Sequence, residues 1–348
     1  MIQVKGFAAM GPASALAPYT FERRDLRQYD VLVDILFSGV CHSDLHQVRD
    51  EWGGSIYPMV PGHEIVGKVI KVGNHVKKFK VGDTAGVGVM VDSCRQCKPC
   101  VNFMEQYCAE GMTGTYNNYE RDKITLAQGG YSTQIVCDER WVYHISDKLD
   151  LAGTAPLLCA GITTYSPLRF ANVKAGDKVA VAGLGGLGHM AVKFTVAMGA
   201  EVTMLSTSPS KEKDAKHLGA HHFVLSTDET AMKRQNNYFD VVVDTVSANH
   251  DYEIYLQLLD LHGKLLVVGL PKDEPHVNPF ELIKNRRSII GSMIGGTVET
   301  QEMLDFCAEK NIVSDVEVIS MQQINEAYER LLKNDVKYRF VIDMTSLK

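Results

Sequence analysis

Four cysteines lie close together in the chain with the spacing of a metal site. Cys94, Cys97, Cys100 and Cys108 follow the pattern C-x2-C-x2-C-x7-C. Cys-x2-Cys steps bring thiolates within reach of one ion, and four sulfur ligands without an open position define a structural zinc site. The alternatives are four unconnected buried cysteines or an iron–sulfur cluster, but cluster runs of the bacterial type end in a shorter step before proline, whereas Ala109 follows Cys108. The pattern predicts a structural zinc.

A second set of possible zinc ligands is spread along the chain. Cys41 and His63 offer a thiolate and an imidazole, and Cys159 would complete a set of two cysteines and one histidine. A catalytic zinc has about three protein ligands and one open position, where it polarises an alcohol or carbonyl oxygen. Taken alone, Cys159 is typical of a packed core and His63 of a hydrogen-bonded interior histidine. Their occurrence together with the cysteine loop favours a catalytic zinc.

The residues beside these ligands suit proton transfer and support of a ligand. Ser43 and His46 fit a relay, in which a hydroxyl contacts the substrate oxygen and an imidazole near the surface exchanges protons with solvent. Asp44 is predicted to accept a hydrogen bond from a ligating imidazole, that of His63. Glu64 is predicted to be a carboxylate next to the ligands or a transient ligand. The alternatives are an ordinary turn hydroxyl for Ser43 and a solvated acid for Glu64.

A glycine-rich loop between a predicted strand and a predicted helix indicates a dinucleotide. The loop reads Gly183-Leu184-Gly185-Gly186-Leu187-Gly188, after the strand Lys178–Ala182 and before the helix His189–Met198. Glycines in this position permit a tight turn and let backbone N–H groups reach a pyrophosphate. The context makes this loop more specific than the bare glycine pattern.

The end of the next strand predicts which dinucleotide binds. An NAD enzyme would have an acidic residue there for the ribose 2′-hydroxyl. This chain has Ser206-Thr207-Ser208 and then Lys211. Three hydroxyls and a cation suit a 2′-phosphate, and no carboxylate repels it, so NADP(H) is the predicted cofactor. The alternative is a generic polar loop that caps a helix.

The order of predicted strands and helices gives an α/β protein of two domains. The first part reads as β-rich, with strand candidates Val31–Leu36, Ile65–Val72 and Tyr131–Val136 between turns. From Gly176 onward, strands alternate with helices, which predicts a doubly wound parallel sheet. Its predicted strands are Lys178–Ala182, Glu201–Leu205, His222–Leu225, Asp240–Asp244, Lys264–Val268 and Ser288–Ser292. Predicted helices include Ser210–Leu218, Asp251–Leu261, Thr300–Lys310 and Gln323–Lys333, and Tyr338–Asp343 is the predicted last strand.

Length and composition exclude several other classes of protein. The 348 residues are 45% hydrophobic and 22% charged, which matches a globular enzyme of two domains. The net charge is −6 and no block of Lys and Arg occurs, so no nucleic-acid surface is expected. No apolar run approaches the roughly 18 residues of a membrane span, and no secretory signal is visible. We expect a cytoplasmic protein whose eight cysteines stay reduced.

As a set, these motifs resemble the zinc-containing, medium-chain alcohol dehydrogenases of the cinnamyl alcohol dehydrogenase branch. The resemblance spans nearly the whole chain and includes the cysteine loop and the glycine loop. The other matching segments are Gly39–Asp44, Tyr57–Glu64, Cys159–Tyr165, Gly291–Gly295 and Asp335–Asp343.

The resemblance implies an architecture, cofactors and a reaction. It implies a GroES-like catalytic domain over residues 1–157, completed by residues 296–348, and a Rossmann domain over residues 158–295. It implies a homodimer with two zinc ions per subunit, one catalytic and one structural. The implied reaction is NADP(H)-linked interconversion of primary alcohols and aldehydes, including aromatic ones. Besides the glycine loop and residues 206–211, the predicted cofactor site contains Ser43, Thr163, Thr245, Gly269, Ser292, Met293 and Ile294.

Two departures from the plant members bear on the substrate. Thr113 stands where plant members often have a tryptophan, and Met293 replaces a commonly aromatic residue. The chain therefore looks more like the microbial aldehyde reductases of broad range. The residues predicted to line the substrate pocket are Trp52, Met112, Met293 and Ile294, each of which could equally belong to the core. The competing functions are a polyol or secondary-alcohol dehydrogenase and a non-catalytic NADPH-binding protein.

Overall fold

The computed structural model describes residues 1–271 and 273–347, which form two compact units. The first unit consists of Met1–Cys159 and Gly295–Lys348, and the second of Ala160–Ile294. The sequence places the domain boundaries after residues 157 and 295, and the structure divides the chain after Cys159 and Ile294. Within the described part of the chain, no helix has both the length and the apolar character of a membrane span.

The N-terminal part of the first unit consists mainly of short strands. Its helices are α1 His42–Val48, α2 Lys98–Val101 and α3 Leu151–Thr154, with 3₁₀ turns at Glu105–Tyr107, Glu139–Trp141 and Ala155–Leu158. Its strands are β1 Ile2–Ala8, β2 Ala17–Arg23, β3 Asp30–Val40, β4 Ile65–Val72, β5 Thr84–Val87, β6 Met90–Asp92, β7 Thr113–Gly114, β8 Asn118–Tyr119, β9 Leu126–Ala127, β10 Gln134–Asp138 and β11 Val142–His144.

Strand β3 is the centre of the main sheet of this unit. It pairs antiparallel with β4 and with β10, and Val31, Val33 and Ile35 are fully buried. Because such β-branched side chains pack well on a pleated surface, this run favours a strand. The strand is longer than predicted, and the strand predicted to begin at Tyr131 begins at Gln134 instead. Tyr131 lies in a turn, where its N–H donates to the carbonyl of Pro61 at 2.9 Å.

The second unit is a parallel sheet with helices between its strands. Its strands are β12 Lys178–Ala182, β13 Glu201–Ser206, β14 His222–Leu225, β15 Phe239–Asp244, β16 Leu259–Val267 and β17 Ser288–Gly291. Its helices are α4 Ala160–Phe170, α5 Gly188–Ala197, α6 Glu212–His217, α7 Glu229–Lys233, α8 Tyr252–Leu258 and α9 Pro279–Ile283. The strand order is β14-β13-β12-β15-β16-β17, and each neighbouring pair is parallel. This confirms the predicted doubly wound sheet, in which ligands bind at the carboxyl ends of the strands where the order reverses.

Two local predictions in the second unit were wrong. The helix predicted to reach Leu261 ends at Leu258, and β16 begins directly after it. Leu259 is fully buried and aligned with Phe239 of β15, so strand pairing outweighs the helical spacing there. The segment predicted as one helix over Ser210–Leu218 is a 3₁₀ turn at Pro209–Lys211 followed by α6. Pro209 has no N–H to donate and is tolerated only in the first turn.

The end of the chain contributes two strands to the sheet around β3. Its elements are α10 Thr297–Lys310, β18 Val316–Ser320, α11 Ile324–Leu332 and β19 Arg339–Asp343. Strand β19 pairs antiparallel with β3 and parallel with β18, and its residues Phe340, Val341 and Ile342 are fully buried. The sheet order is β11-β5-β4-β3-β19-β18. Residues more than three hundred positions apart therefore lie on neighbouring strands.

Replacement of Gly188 by alanine should destabilise the second unit. A Cβ atom at Gly188 would lie 1.8 Å from the backbone oxygen of Gly183, which cannot move without breaking the turn. We expect the free energy of unfolding to fall by about 3 kcal/mol or more in Gly188→Ala. The matched control is Gly185→Ala, because a Cβ there meets no atom within 4 Å. Thermal unfolding of both variants checks this, and equal melting temperatures would contradict it.

Candidate metal centres and dinucleotide site

Four buried side chains of the first unit converge on one point. The ligand atoms of Cys41, His63, Glu64 and Cys159 all lie within 4.8 Å of one another. Cys41 Sγ is 3.9 Å from Cys159 Sγ, which in turn is 3.2 Å from His63 Nε2. A tetrahedral zinc would separate two sulfur ligands by about 3.8 Å, and sulfur from nitrogen by about 3.6 Å. Two thiols and one imidazole therefore have both the chemistry and the separation that a zinc ion requires.

Local structure explains how the three ligands reach this point. Cys41 directly follows β3 and is the N-cap of α1, while His63 lies two residues before the start of β4, the antiparallel neighbour of β3. The turn before His63 needs glycine, since Gly62 has φ +102° and a Cβ there would meet the ring of Tyr131 at 2.6 Å. Cys159 follows the 3₁₀ turn Ala155–Leu158.

The carboxylate of Asp44 fixes the histidine, as predicted from its position in the sequence. Asp44 is fully buried, and its Oδ1 lies 2.9 Å from His63 Nδ1. It also accepts from the N–H of Cys41 at 2.9 Å, the N–H of Gly62 at 3.1 Å and the hydroxyl of Tyr131 at 3.2 Å. Because a carboxylate only accepts, His63 Nδ1 carries a proton, and Nε2, which lies 3.2 Å from Cys159 Sγ, is the nitrogen left to bind a metal. This is the tautomer that binds a metal through Nε2.

Charge around the cluster favours thiolate at Cys41. The hydrogen bond from Cys159, together with Arg339 and His63, holds the pKa of Cys41 well below its usual value. The thiolate is the form of cysteine that binds metals. The sequence analysis missed Arg339 as a member of this site. Its signal is a cation in an otherwise apolar strand, and the guanidinium is buried and paired with Glu64.

The position of Glu64 is set by Arg339 and by a glycine. Glu64 Oε1 accepts from the guanidinium of Arg339, and Oε2 is buried without a hydrogen-bond partner among the described residues. Burial raises the pKa of the Glu64 carboxyl and Arg339 opposes that shift. A Cβ at Gly39 would lie 1.9 Å from Glu64 Oε2, so only glycine leaves room for this carboxylate. Glu64 thus has a free oxygen within the cluster.

The residues predicted to relay a proton lie on helix α1. Ser43 Oγ is 3.5 Å from Cys41 Sγ. The side chain of His46 is one-third exposed, and its Nδ1 lies 2.5 Å from Glu51 Oε2. In the described part of the chain, no hydrogen bond joins Ser43 directly to His46. One end of the predicted relay lies beside the metal cluster and the other end reaches solvent.

The predicted substrate-pocket residues have different surroundings. Trp52 is half exposed, and its ring lies 5.0 Å from that of His46. Met112 is partly buried in the first unit, and Met293 is exposed in the second. Ile294, the last residue of the second unit, is buried with φ +38°, which is unusual for a β-branched residue.

The cysteine loop forms a second four-ligand cluster. The sulfur atoms of Cys94, Cys97, Cys100 and Cys108 lie within 4.8 Å of one another, with Cys100 at 3.8 Å from Cys94 and 3.3 Å from Cys97. Backbone N–H groups of Cys94, Cys97 and Ala109 donate to sulfur atoms of the cluster. The hydrogen bond from Ala109 is the main reason why the pKa of Cys97 falls to about 6. These donors favour thiolates, as a structural zinc requires.

The glycine loop of the second unit has the shape that a bound pyrophosphate needs. Gly183 has φ +91°, and Gly188 begins α5 beside the carbonyl of Gly183. At Gly185 an added Cβ would meet open space, so this part of the loop is accessible to a ligand. Backbone N–H groups at the start of a helix attract phosphate. The loop reads Gly183-Leu184-Gly185-Gly186-Leu187-Gly188, as in the prediction.

The predicted 2′-phosphate residues lie next to this loop. Lys211 Nζ donates to the carbonyl of Leu184 at 2.7 Å, which places the cation beside the glycine loop. Burial lowers the pKa of Lys211, although Asp214 opposes this. Ser206 is buried at the end of β13 and its Oγ accepts from the N–H of Ser208, whereas Thr207 is exposed.

The other predicted cofactor residues lie at ends of the same parallel sheet or beside it. Thr245 Oγ1 donates to the carbonyl of Ala182 at 2.7 Å and also contacts the carbonyl of Gly183 at 3.1 Å. The N–H of Gly269 donates to the carbonyl of Asp244, and the N–H of Ser292 donates to that of Val267. The remaining predicted residue, Thr163, is partly buried in α4.

With this geometry established, comparison with known proteins gives two matching families. Residues 186–309 match the family described as Zinc-binding dehydrogenase. Residues 27–147 match the family described as Alcohol dehydrogenase GroES-like domain. The first match begins within the glycine loop, at Gly186, and the second includes the cysteine loop together with Cys41 and His63. Both family descriptions agree with the fold and with the two clusters of possible zinc ligands.

Individual relatives agree with these families. The chain is 53% identical over 328 residues, 94% of either chain, to a probable formaldehyde dehydrogenase AdhA of Bacillus subtilis. It is 52% identical over 349 residues, the whole of both chains, to NADP-dependent alcohol dehydrogenase C 1 of Mycolicibacterium smegmatis. Two solved structures, a cinnamyl alcohol dehydrogenase of Sorghum bicolor and the CAD of Helicobacter pylori complexed with NADP(H), are each 43% identical and cover 100% of this chain and 99% of theirs, with TM-scores of 0.96 and 0.93. The chain belongs to the zinc-binding alcohol dehydrogenase family, which confirms the predicted resemblance.

Replacement of Asp44 by asparagine should weaken metal binding at one cluster only. The amide cannot accept all four hydrogen bonds, and its NH₂ group would face N–H donors. Loss of such a supporting carboxylate typically lowers zinc affinity by about 10- to 100-fold. Competition with a chelator, followed by metal analysis, should show one ion leaving Asp44→Asn early. The cysteine loop is the internal control, and unchanged retention of both ions would contradict the expectation.

Proposed function

We propose that this protein catalyses the reversible, NADP(H)-linked reduction of aldehydes to primary alcohols at a zinc centre formed by Cys41, His63 and Cys159. The observation that carries the proposal is the convergence of two thiols and a correctly oriented imidazole in a buried cluster. The relatives support the reaction class, since they are named as an NADP-dependent alcohol dehydrogenase and a probable formaldehyde dehydrogenase. We further propose that the cysteine loop holds a second, structural zinc.

The metal supplies the electrophile for this chemistry. When bound, zinc polarises the oxygen of an aldehyde or alcohol and stabilises negative charge on it. Cys41, His63 and Cys159 would hold the zinc as three ligands, and such a site would keep room for the substrate oxygen. Asp44 holds the His63 ring in position, and Glu64 remains paired with Arg339 with one oxygen free. We propose Glu64 as a transient ligand on this basis.

Ser43 and His46 deliver the proton in this proposal. The Ser43 hydroxyl lies beside Cys41 Sγ, where it can donate to the substrate oxygen. Because His46 Nδ1 faces the carboxylate of Glu51, its proton is on Nδ1, and Nε2 is free to accept one. A water or another hydroxyl must connect Ser43 to His46, since no direct hydrogen bond joins them in the described residues. The partly exposed imidazole then exchanges its proton with solvent.

The second unit supplies the cofactor site. We propose that the pyrophosphate lies over the glycine loop and that Ser206, Thr207, Ser208 and Lys211 bind the 2′-phosphate. Lys211 supports this assignment, because its ammonium group already contacts the carbonyl of Leu184 in that loop. The cofactor named for the M. smegmatis relative and for the H. pylori structure agrees with it. Thr163, Thr245, Gly269 and the segment Ser292–Ile294 complete the proposed site.

The two units correspond, in this proposal, to the catalytic and dinucleotide-binding domains.

We also propose a homodimer. Strand β17 ends the order of the parallel sheet, and its residues are only partly buried. The neighbouring helix α9 exposes Phe280 and Ile283. An exposed sheet edge next to apolar side chains is a surface that association can cover.

Replacement of Cys41 by alanine tests the proposed reaction. Loss of a zinc ligand removes several kcal/mol of charge stabilisation, so turnover of benzaldehyde with NADPH should fall by roughly a thousandfold or more. The dissociation constant for NADPH should stay within about twofold, because the glycine loop and residues 206–211 belong to the other unit. The matched control is Cys307→Ala, which replaces a buried cysteine of α10 outside both clusters. Retained turnover in Cys41→Ala would refute the zinc assignment.

Replacement of Lys211 by alanine tests the cofactor assignment. Losing one charge-assisted contact to a phosphate should lower kcat/KM for NADPH about tenfold or more. The value for NADH should change by less than about twofold, since NADH has no 2′-phosphate. The exposed Lys216 of α6 offers a matched control as Lys216→Ala. Steady-state kinetics with both cofactors decide, and equal losses with NADPH and NADH would count against a 2′-phosphate site.

A further inference from the structure

A buried acid–histidine pair in the second unit has no part in the proposed reaction. Asp244 is the last residue of β15 and is fully buried. Its Oδ2 lies 2.9 Å from His250 Nε2, and its Oδ1 accepts from the N–H of Val246 at 3.0 Å. The other ring nitrogen, His250 Nδ1, lies 2.7 Å from the carbonyl oxygen of Ala248. The contact between Asp244 and His250 therefore joins the two ends of the loop of residues 245–249.

Both nitrogens of His250 face oxygen acceptors, which fixes the number of protons. A carbonyl oxygen cannot donate, so Nδ1 must carry a proton. The contact between Nε2 and Asp244 also needs a proton, whichever of the two groups holds it. The pair therefore contains one proton more than a neutral imidazole beside an ionised carboxylate. Loss of that shared proton would remove one of the two contacts.

The titratable side chains around the pair are two tyrosines of α8 and two aspartates. Tyr252 and Tyr255 of α8 turn their rings toward His250 at 5.2 and 5.3 Å. Asp251 accepts from the N–H of Glu253 at the start of α8, and Asp273 binds the side chain of Asn249. Burial raises the pKa of Asp244, opposed by the N–H of Val246 and by His250. A shared proton suits a carboxylate that burial makes more basic.

The loop of residues 245–249, whose ends this pair joins, contacts the glycine loop. A Cβ at Gly183 would meet Thr245 Oγ1 and Val246 Cγ2, both at 3.0 Å. A Cβ at Gly269 would meet the carbonyl oxygen of Val246 at 2.3 Å, and Thr245 itself donates to the carbonyl of Ala182. Residues 245 and 246 thus fit between two glycines of the dinucleotide site. Their position depends on the flanking residues Asp244 and His250, whose side chains contact each other.

We propose that His250 is a positioning residue for the dinucleotide, acting through a proton shared with Asp244 that holds residues 245–249 against the glycine loop. The inference rests on the proposed cofactor site and deepens it. The protonated pair keeps the loop in the conformation that binds the cofactor. Loss of the shared proton as pH rises loosens the loop and weakens binding, since the binding-competent fraction falls.

The experiment measures the dissociation constant for NADPH by quenching of protein fluorescence, without substrate, from about pH 6 to about pH 9. Full-length wild-type protein is compared with His250→Gln, whose side chain does not titrate. The matched control is His222→Gln, since His222 of β14 forms an exposed pair with Glu201 of β13. Titration of the cofactor's own phosphate affects all three proteins alike and cancels in their ratios.

The expected result is a ratio of dissociation constants, His250→Gln over wild type, of about fivefold or more at the lowest pH. The ratio should approach one as pH rises, because the wild type loses its shared proton. His222→Gln should follow the wild type throughout. A ratio independent of pH, or equal affinities at low pH, would overturn the inference. If His250→Gln does not fold, the binding of NADH to the wild type is measured over the same pH range, because NADH has no 2′-phosphate that titrates. Weaker binding of NADH at high pH supports the inference, and constant binding refutes it. Wild-type protein that binds no NADPH at any pH would instead refute the proposed function.

Discussion

One buried carboxylate fixes the geometry of the cluster formed by Cys41, His63, Glu64 and Cys159. Asp44 carries its charge away from solvent, where an ionised group is tolerated only if its hydrogen-bonding capacity is met. Four donors meet it: the N–H groups of Cys41 and Gly62, the ring of His63 and the hydroxyl of Tyr131. These donors come from the end of β3, the turn before β4 and the turn before β10. A single charge therefore requires three separate segments to meet at one place.

The same constraint explains the second buried charge beside the cluster. Glu64 follows His63 directly and could not remain ionised there without a cation. The cation comes from Arg339 at the start of β19, nearly three hundred residues later, and reaches Glu64 because β19 pairs with β3. Gly39 on β3 leaves the space that the carboxylate occupies. Sheet pairing across the two ends of the chain thus helps to form the candidate metal site as well as the fold.

Local patterns could be predicted from the sequence, and long-range partners could not. The cysteine loop, the glycine loop and the strands Lys178–Ala182 and His222–Leu225 depend on residues that are close in sequence, where spacing carries the information. The partner of Glu64 depends on strand pairing, which no local spacing encodes. The early start of β16 at Leu259 has the same cause, because its alignment with Phe239 overrides a helical pattern. Asp44 was predictable as the partner of His63, but Tyr131 as its fourth donor was not.

Asp44 and Asp244 show how one arrangement gives two kinds of histidine. Both carboxylates are fully buried and contact a ring nitrogen at 2.9 Å, Asp44 from the first turn of α1 and Asp244 from the end of β15. The difference is what the other nitrogen faces. His63 Nε2 faces the sulfur atom of Cys159, which places it where a zinc ligand would have to be. His250 Nδ1 faces a carbonyl oxygen, and this contact is the basis of the proton that we propose the ring shares with Asp244. The group that the second ring nitrogen faces therefore distinguishes the proposed zinc ligand His63 from the proposed positioning residue His250.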